Sequence, residues 1–370
     1  MSRSTPRIVE VEGFGVRLPL AKPMRLASET IVAAENLVVR VTADDGTVGW
    51  GEAASAPTMT GELLPGMVAA VSRFIGPALL SAELDDLAAL EHRIERSIRA
   101  NTGAKSAASM AVYDALSRHR SIPMYSLLGN RRQLDAPALF MIGSGDADAD
   151  RAAALAAAAK GYRHFKLKVG KDDPNNDVNA AVALRKIVGP ECEIATDANM
   201  AWTVEKSLAF AAGVVNEKIS YLEQPLADDD LPGLEALAHA TKLPLASDEA
   251  IHAVSDISTQ AKAGASWIGL KLIKLGTFSA MRRALDVCDD HGVRPVLACK
   301  IAESSIGAAA LSHLAVTVRE CATGVSFTHS YLARDVCASP LQVSNGRVAP
   351  REVPGHGVEP DVDYLMRQRC

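Results

Sequence analysis

The chain has 370 residues, 48% of them hydrophobic, so it can bury a large core, and its length points to two domains or one barrel-sized domain with an appendage. A formal net charge of -5 with scattered signs excludes a basic stripe for nucleic acid and a polybasic arm for a membrane, leaving small molecules as the expected partners. No stretch reaches the ~18 apolar residues of a membrane span, and no apolar run follows the arginines of "MSRSTPRIVEVEG", so neither a span nor a secretory leader is expected and the reading is cytoplasmic.

Residues 1–130 open with the β-rich runs "RIVEVEGFGVRLPL" and "NLVVRVTADDGTVGWGEAA", the second folded at a "DDGT" turn of the kind that closes hairpins. Helical periodicity follows in "GELLPGMVAAVSRFIGPALL", "DDLAALEHRIERSIRA" and "GAKSAASMAVYDALSRHR". Strands followed by helices predict a compact α+β unit. Residues 131–344 change pattern: "APALFMIG", "HFKLKVG", "CEIATDAN", "ISYLEQP", "LPLASDE", "WIGLKLIK", "RPVLACK" and "ATGVSF" alternate with stretches long enough to return over a helix. Apolar strands joined by helical crossovers predict an α/β domain with a parallel sheet buried on both faces, and about eight of them fit a TIM-like barrel better than an open sheet. The six cysteines show no CxxC and no His-spaced pattern, so reduced thiols, several of them buried, are expected.

Charges fall on this frame in phase. Lys168, Asp197, Glu223, Asp248 and Lys271 are separated by 29, 26, 25 and 23 residues, about one strand-helix unit each. Each therefore falls near the C-terminal end of a successive strand, the end where a barrel gathers its catalytic groups. Any one of these acids alone reads as a helix cap or a surface pair. As a set, three crowded carboxylates cost several kcal/mol unless a cation lies among them. Asp197, Glu223 and Asp248 thus predict a hard divalent metal, Mg²⁺ first and Mn²⁺ as the alternative, because all the donors are oxygen.

Lys168 precedes the acids by one unit and Lys271 follows them by one. A lysine is a base only when neutral, and a metal plus a second ammonium at Lys166 would depress its pKa. Lys168 is therefore expected as the base, with Lys166 as its tuner and a carboxylate contact. The alternative, two snorkelling lysines on an edge strand, is weakened because Phe165, Leu167 and Val169 ask for burial on the other face.

With these motifs in place, "KLK", "DAN", "EQP", "SDE" and "KLIKLG", together with "AESSIG" around Glu303 and "ANTGAKSA", the chain resembles the enolase superfamily. Within it, the likeness is to the muconate lactonizing enzyme subgroup of the mandelate racemase/muconate lactonizing enzyme family, over nearly the whole length. The resemblance implies an N-terminal α+β capping domain over a modified (β/α)7β TIM-like barrel, with residues 345–370 returning to the cap. It also implies Mg²⁺ on Asp197, Glu223 and Asp248, acid/base lysines at Lys168 and Lys271 with Lys274 structural, and a homo-oligomer, often an octamer.

The implied chemistry is removal or delivery of the α-proton of a small carboxylate substrate through an enediolate. A muconate-type cycloisomerase is the leading expectation, with a racemase, epimerase or dehydratase of another carboxylic acid as the alternative and a non-catalytic metabolite-binding barrel as a remote one. Dipeptide epimerases of the subgroup often carry Asp-x-Asp where this chain has "SFTHSYLARD". The mandelate racemase subgroup uses a His where it has "LACKIAE", and a common Gly-Gly becomes Gly276-Thr277. Lys300 is a cation where a small or hydroxyl residue is usual; it either meets a second anionic group on the substrate or pairs with Glu303. Specificity is expected from loops near "MRLASET", with Met24, and "SAPTMTGE", with Met59.

Overall fold

The computed structural model describes residues 5–25, 30–143 and 145–370. The loop expected around "MRLASET", the side chain of Met24 included, therefore lies outside the described residues. Three antiparallel strands, β1 (Ile8–Arg25), β2 (Thr30–Ala43) and β3 (Val48–Ala54), pair in that order, and the "DDGT" turn joins the last two. In that turn the Asp45 side chain accepts the Thr47 N–H at 2.9 Å and Gly46 takes φ +84°, which glycine adopts without a Cβ clash.

One face of this sheet packs on helix α1 (Thr102–His119), which is buried from Gly103 to Ser117. The approach is close because β3 presents glycine: a Cβ at Gly51 would stand 1.9 Å from the Ala107 carbonyl oxygen, and one at Gly49 would stand 2.2 Å from that of Ala111. Glycine on the strand opposite alanine on the helix brings two backbones nearly into contact, and that fixes the depth at which α1 lies.

The second unit is a seven-stranded parallel sheet in sequential order: β4 (Leu139–Ile142), β5 (His164–Lys168), β6 (Glu193–Asp197), β7 (Ile219–Glu223), β8 (Leu245–Ser247), β9 (Ala265–Leu270) and β10 (Arg294–Leu297). Residues 325 and 326 close it into a barrel, since Val325 bridges Ala138 and Ser326 bridges Ala298, both in parallel. All eight apolar runs thus lie in the barrel wall. "WIGLKLIK" is strand only through Leu270, and Leu272–Leu275 forms a single helical turn after it. The return helices start on side-chain caps, among them Asp146, Asp173, Thr203, Asp230, Thr277 and Ser304, each accepting a backbone N–H from the first turn.

Side chains alternate across these strands. On β5, Phe165 and Leu167 join the main apolar core, while Lys166 and Lys168 point the other way, into the barrel. Ala195, Tyr221, Ala246, Trp267 and Val296 form a separate apolar layer inside the ring. The end of the chain returns to the three-stranded sheet: Cys370 N–H donates to Gly15 at 3.1 Å, and Arg17 N–H donates to Gln368 at 2.9 Å. All six cysteines are free thiols, five of them buried.

Candidate active site

Register sets the height of the charged groups. Lys168 on β5 is paired with Asp197 on β6, and Asp197 with Glu223 on β7, so three charges stand side by side at the top of three adjoining strands. Asp248 and Lys271 lie one residue beyond β8 and β9. All five line one cavity of about 150 Å³ at that end of the barrel, together with Lys166 and Lys300. Phased charges on successive strands therefore converge, as expected from their spacing.

In this structure each carboxylate is bonded to an ammonium. Lys166 donates to Glu223 Oε2 at 2.5 Å, Lys168 to Asp197 Oδ2 at 2.6 Å, and Lys271 to Asp248 Oδ2. Lys274, fully buried, donates to Asp248 Oδ1 at 2.7 Å, to the Asp248 carbonyl and to that of Gly269 at 2.9 Å. Its three acceptors lie on the loop after β8 and on β9, so it ties Asp248 to the neighbouring strand. Lys166 is turned to Glu223 and lies 5.8 Å from the centre of the Tyr221 ring, on a strand flanked by neighbours on both sides rather than at an edge.

The charges hold one another in defined states. Burial pushes the Glu223 carboxyl up and the Lys166 charge works against it, while Asp197 and Asp248 add to the rise. Burial works the same way on Asp248, but the ammonium groups of Lys271 and Lys274 hold it well below the usual carboxylate range. Burial would lower Lys166 and Lys271, yet the surrounding carboxylates, led by Glu223 and Asp248 respectively, raise both. The acids thus share one electrostatic field, and the lysines supply its counter-charge.

Three further residues complete the constellation and were not singled out from the sequence. Asn199 accepts from Lys168 Nζ at 2.7 Å and donates to Glu249 Oε1 at 2.8 Å. Glu249 is buried beside Asp248; burial first, then the charges of Asp248 and Asp197, push its carboxyl up to about 7, and its Oε2 has no hydrogen-bond partner. Gln224 accepts the N–H groups of Asp248 at 2.9 Å and Ala250 at 3.2 Å. Asn199 and Gln224 were in view as the neighbours of Asp197 and Glu223 in "DAN" and "EQP", and Glu249 as the second acid of "SDE".

Glu303 lies to one side. Its Oε2 accepts the Lys300 backbone N–H at 3.1 Å and its Oε1 the Ala54 N–H at 3.5 Å, so it ties the loop after β10 to β3. Burial, with Glu52 adding to it, pushes its carboxyl up to about 8. Lys300 and Thr328 face the cavity, and the Thr328 hydroxyl donates to the Lys300 carbonyl at 2.6 Å.

The donor set suits a hard cation. Carboxylates on adjoining strands are crowded enough to raise one another's proton affinity, and a buried Glu249 oxygen beside them lacks a partner. Among the described residues no three His, Cys, Asp or Glu side chains are already grouped as metal ligands; ammonium groups hold the carboxylate oxygens instead.

Family comparison agrees with this geometry over both units. Residues 148–364 match the enolase C-terminal domain-like family, and residues 8–129 match the mandelate racemase/muconate lactonizing enzyme N-terminal domain. The chain belongs to the mandelate racemase/muconate lactonizing enzyme family of the enolase superfamily. It is 30% identical over 362 residues to the L-Ala-D/L-Glu epimerase of Bacillus subtilis (strain 168), covering 95% of this chain and 96% of that protein. It is 28% identical over 363 residues to muconate cycloisomerase 1 of Rhodococcus opacus, covering 97% of each. Among solved structures, the muconate lactonizing enzyme of Pseudomonas fluorescens complexed with muconolactone superposes with a TM-score of 0.94 at 27% identity, over 99% of this chain and 100% of that one. Its relatives are isomerases, and the chain is an enzyme of the racemase, epimerase or cycloisomerase kind. Family members use a divalent metal, generally Mg²⁺. Among the described residues no helix is long and apolar enough to cross a membrane.

Proposed function

We propose that this enzyme moves the α-proton of a small carboxylate substrate, with Lys168 and Lys271 as its acid/base pair, and that its leading reaction is a muconate-type cycloisomerisation. The observation that carries the reading is the arc at the cavity: one lysine on β5, carboxylates ending β6 and β7 and just past β8, and a second lysine after β9. Asp197, Glu223 and Asp248 would hold Mg²⁺, which supplies positive charge against the second negative charge that develops on the substrate carboxylate. Lys168 and Lys271, on either side of those acids, reach the α-carbon from two flanks. Asn199 holds Lys168 through its Oδ1. Lys166 compensates Glu223 beneath them, and Lys300, on the wall after β10, meets a second anionic group of the substrate. Glu303 fixes the backbone of that wall.

A second reading, racemisation or epimerisation, is favoured by the same pair of lysines, because one flank can remove a proton that the other returns. The segment "SFTHSYLARD", which begins at Ser326, lies in the region where the subgroup's dipeptide epimerases often carry Asp-x-Asp, so a substrate other than a free dipeptide is expected. The test is a panel of carboxylic acids, cis,cis-muconate and dipeptides included, incubated with Mg²⁺ in D₂O and followed by NMR. At least one acid should cyclise or exchange its α-proton, and Lys168→Ala and Lys271→Ala should each slow turnover at least about a hundredfold. Under the second reading each variant keeps exchange on one enantiomer while interconversion stops. No reaction across the panel, or full activity in both variants, defeats the assignment.

A further inference from the structure

The motifs "SAPTMTGE" and "NTGAKSA" meet in space. Glu62, closing the loop that follows β3, is buried, and its Oε2 accepts the Gly103 N–H at 2.6 Å while its Oε1 accepts the Ala104 N–H at 3.2 Å. Those are free N–H groups of the first turn of α1. The residue that should cap this helix, Asn101, sits at φ +53° and makes no side-chain cap bond. Its amide donates to the Arg99 carbonyl instead, so the cap comes from the distant loop.

The fit is built for that carboxylate. A Cβ at Gly103 would stand 2.9 Å from Glu62 Oε2, so glycine is what admits the oxygen to the helix end. The loop is closed on itself as well: Ser55 Oγ donates to the Glu62 carbonyl at 3.0 Å, and the N–H groups of Met59 and Thr60 donate to the Ala56 carbonyl at 3.0 and 2.8 Å. Glu62 therefore holds a compact loop by one end, and the residues at its tip, Thr58 and Met59, line the cavity.

The same end of α1 supports the catalytic side. Lys271 begins the turn Leu272–Leu275, and Ile273 of that turn is buried in the core of the capping domain. Gly276, just after the turn, lies beside the first turn of α1: a Cβ there would stand 3.6 Å from atoms of Thr102 and Lys105. One helix end thus seats both the loop over the cavity and the turn that carries Lys271.

We propose that Glu62 is a positioning residue for substrate, latching the Thr58–Met59 loop to the helix end on which the Lys271 turn rests. The inference rests on the reading that this cavity takes the substrate. It predicts a defect in binding rather than in chemistry, because the loop touches the cavity and Lys271 keeps its own support through Ile273.

The test compares Glu62→Ala, Glu62→Gln and Gly103→Ala with the parent by amide hydrogen exchange across residues 55–61 and by steady-state kinetics on whichever panel acid the parent turns over. Glu62→Ala should speed exchange in that segment and raise KM by about five- to tenfold with kcat within about twofold, the scale of a lost helix cap. Glu62→Gln, which keeps one of the two acceptors and turns an NH2 donor toward the other N–H, should recover only part of both, and Gly103→Ala should reproduce the Ala phenotype with Glu62 intact. Unchanged exchange in residues 55–61, or a fall in kcat and in unfolding midpoint with KM unmoved, overturns the latch. If the parent turns over no acid, the proposed function fails, and hydrogen exchange alone decides whether the latch exists.

Discussion

Lys300 places an ammonium on a wall whose other cavity-lining groups include Cys299, Ile301, Ser326 and Thr328. Its backbone is held from two sides, by Glu303 at the N–H and by Thr328 at the carbonyl, so the position of its side chain is set by a buried network. A substrate group held by a charged partner contributes about 1.5–3 kcal/mol, so Lys300→Met should raise KM by about ten- to a hundredfold while kcat changes little. Unchanged constants on the true substrate would remove Lys300 from substrate binding. The acids and lysines of the site were legible in the sequence because each ends a strand and strands recur at a nearly constant interval. Asn199, Gln224 and Glu249 were not, although they stand within two residues of Asp197, Glu223 and Asp248. Asn199 and Gln224 occupy left-handed backbone, φ +43° and +36°, which turns their side chains back across the site, and no periodicity announces such a turn.

The barrel was legible at the level of whole strands because short apolar runs recur along the chain with stretches between them long enough to return over a helix. The irregularities were not. The helix expected across "GELLPGMVAAVSRFIGPALL" contains a wide turn at Val71–Ile75, followed by Pro77, whose missing N–H cannot continue the ladder. The seat of α1 was likewise hidden, because nothing in the β-rich run that holds Gly49 and Gly51 says which helix lies against it. A side chain at Gly51 meets Ala107 and Ala111 backbone, which cannot swing aside. Gly51→Ala should therefore cost about 3 kcal/mol or more of unfolding free energy. Gly66→Ala is the matched control. Gly66 lies inside the helix Leu64–Ala70 with nothing within 4 Å of an added Cβ, so the same change there should stabilise by about 0.5–1 kcal/mol. Equal effects at the two positions in urea titrations would contradict the packing account.

The capping domain and the end of the chain are joined through two neutral histidines, and this sets how the whole molecule meets acid. His356 is fully buried; its backbone N–H donates to Asp114 of α1 at 2.8 Å, and its Nδ1 accepts the Val358 N–H at 3.3 Å. His313 accepts the Tyr125 N–H at 3.2 Å on Nδ1, and its Nε2 lies 3.3 Å from the His356 carbonyl. Each ring can accept on Nδ1 only while that nitrogen is unprotonated, so both are held neutral with the proton on Nε2. Burial first, reinforced by the neighbouring charge of Arg118 for His356 and by His356 itself for His313, lowers both to about 3. The ordinary value in the unfolded chain is 6.5, so unfolding takes up protons below that pH. The stabilisation from keeping each ring neutral is complete above pH 6.5 and is lost as pH falls from 6.5 toward 3. For one imidazole the loss between pH 7 and pH 5 is about 2 kcal/mol. In His356→Gln one such group is gone, so the gap in unfolding free energy between parent and variant should shrink by about 2 kcal/mol over that interval, and His313→Gln should behave alike. The gap should stay level between pH 7 and pH 8.5, where neither state binds the proton appreciably. A gap that is constant from pH 8.5 to pH 5 would mean that the rings are not held neutral, and that the acid sensitivity of the cap-to-barrel junction lies in its carboxylates.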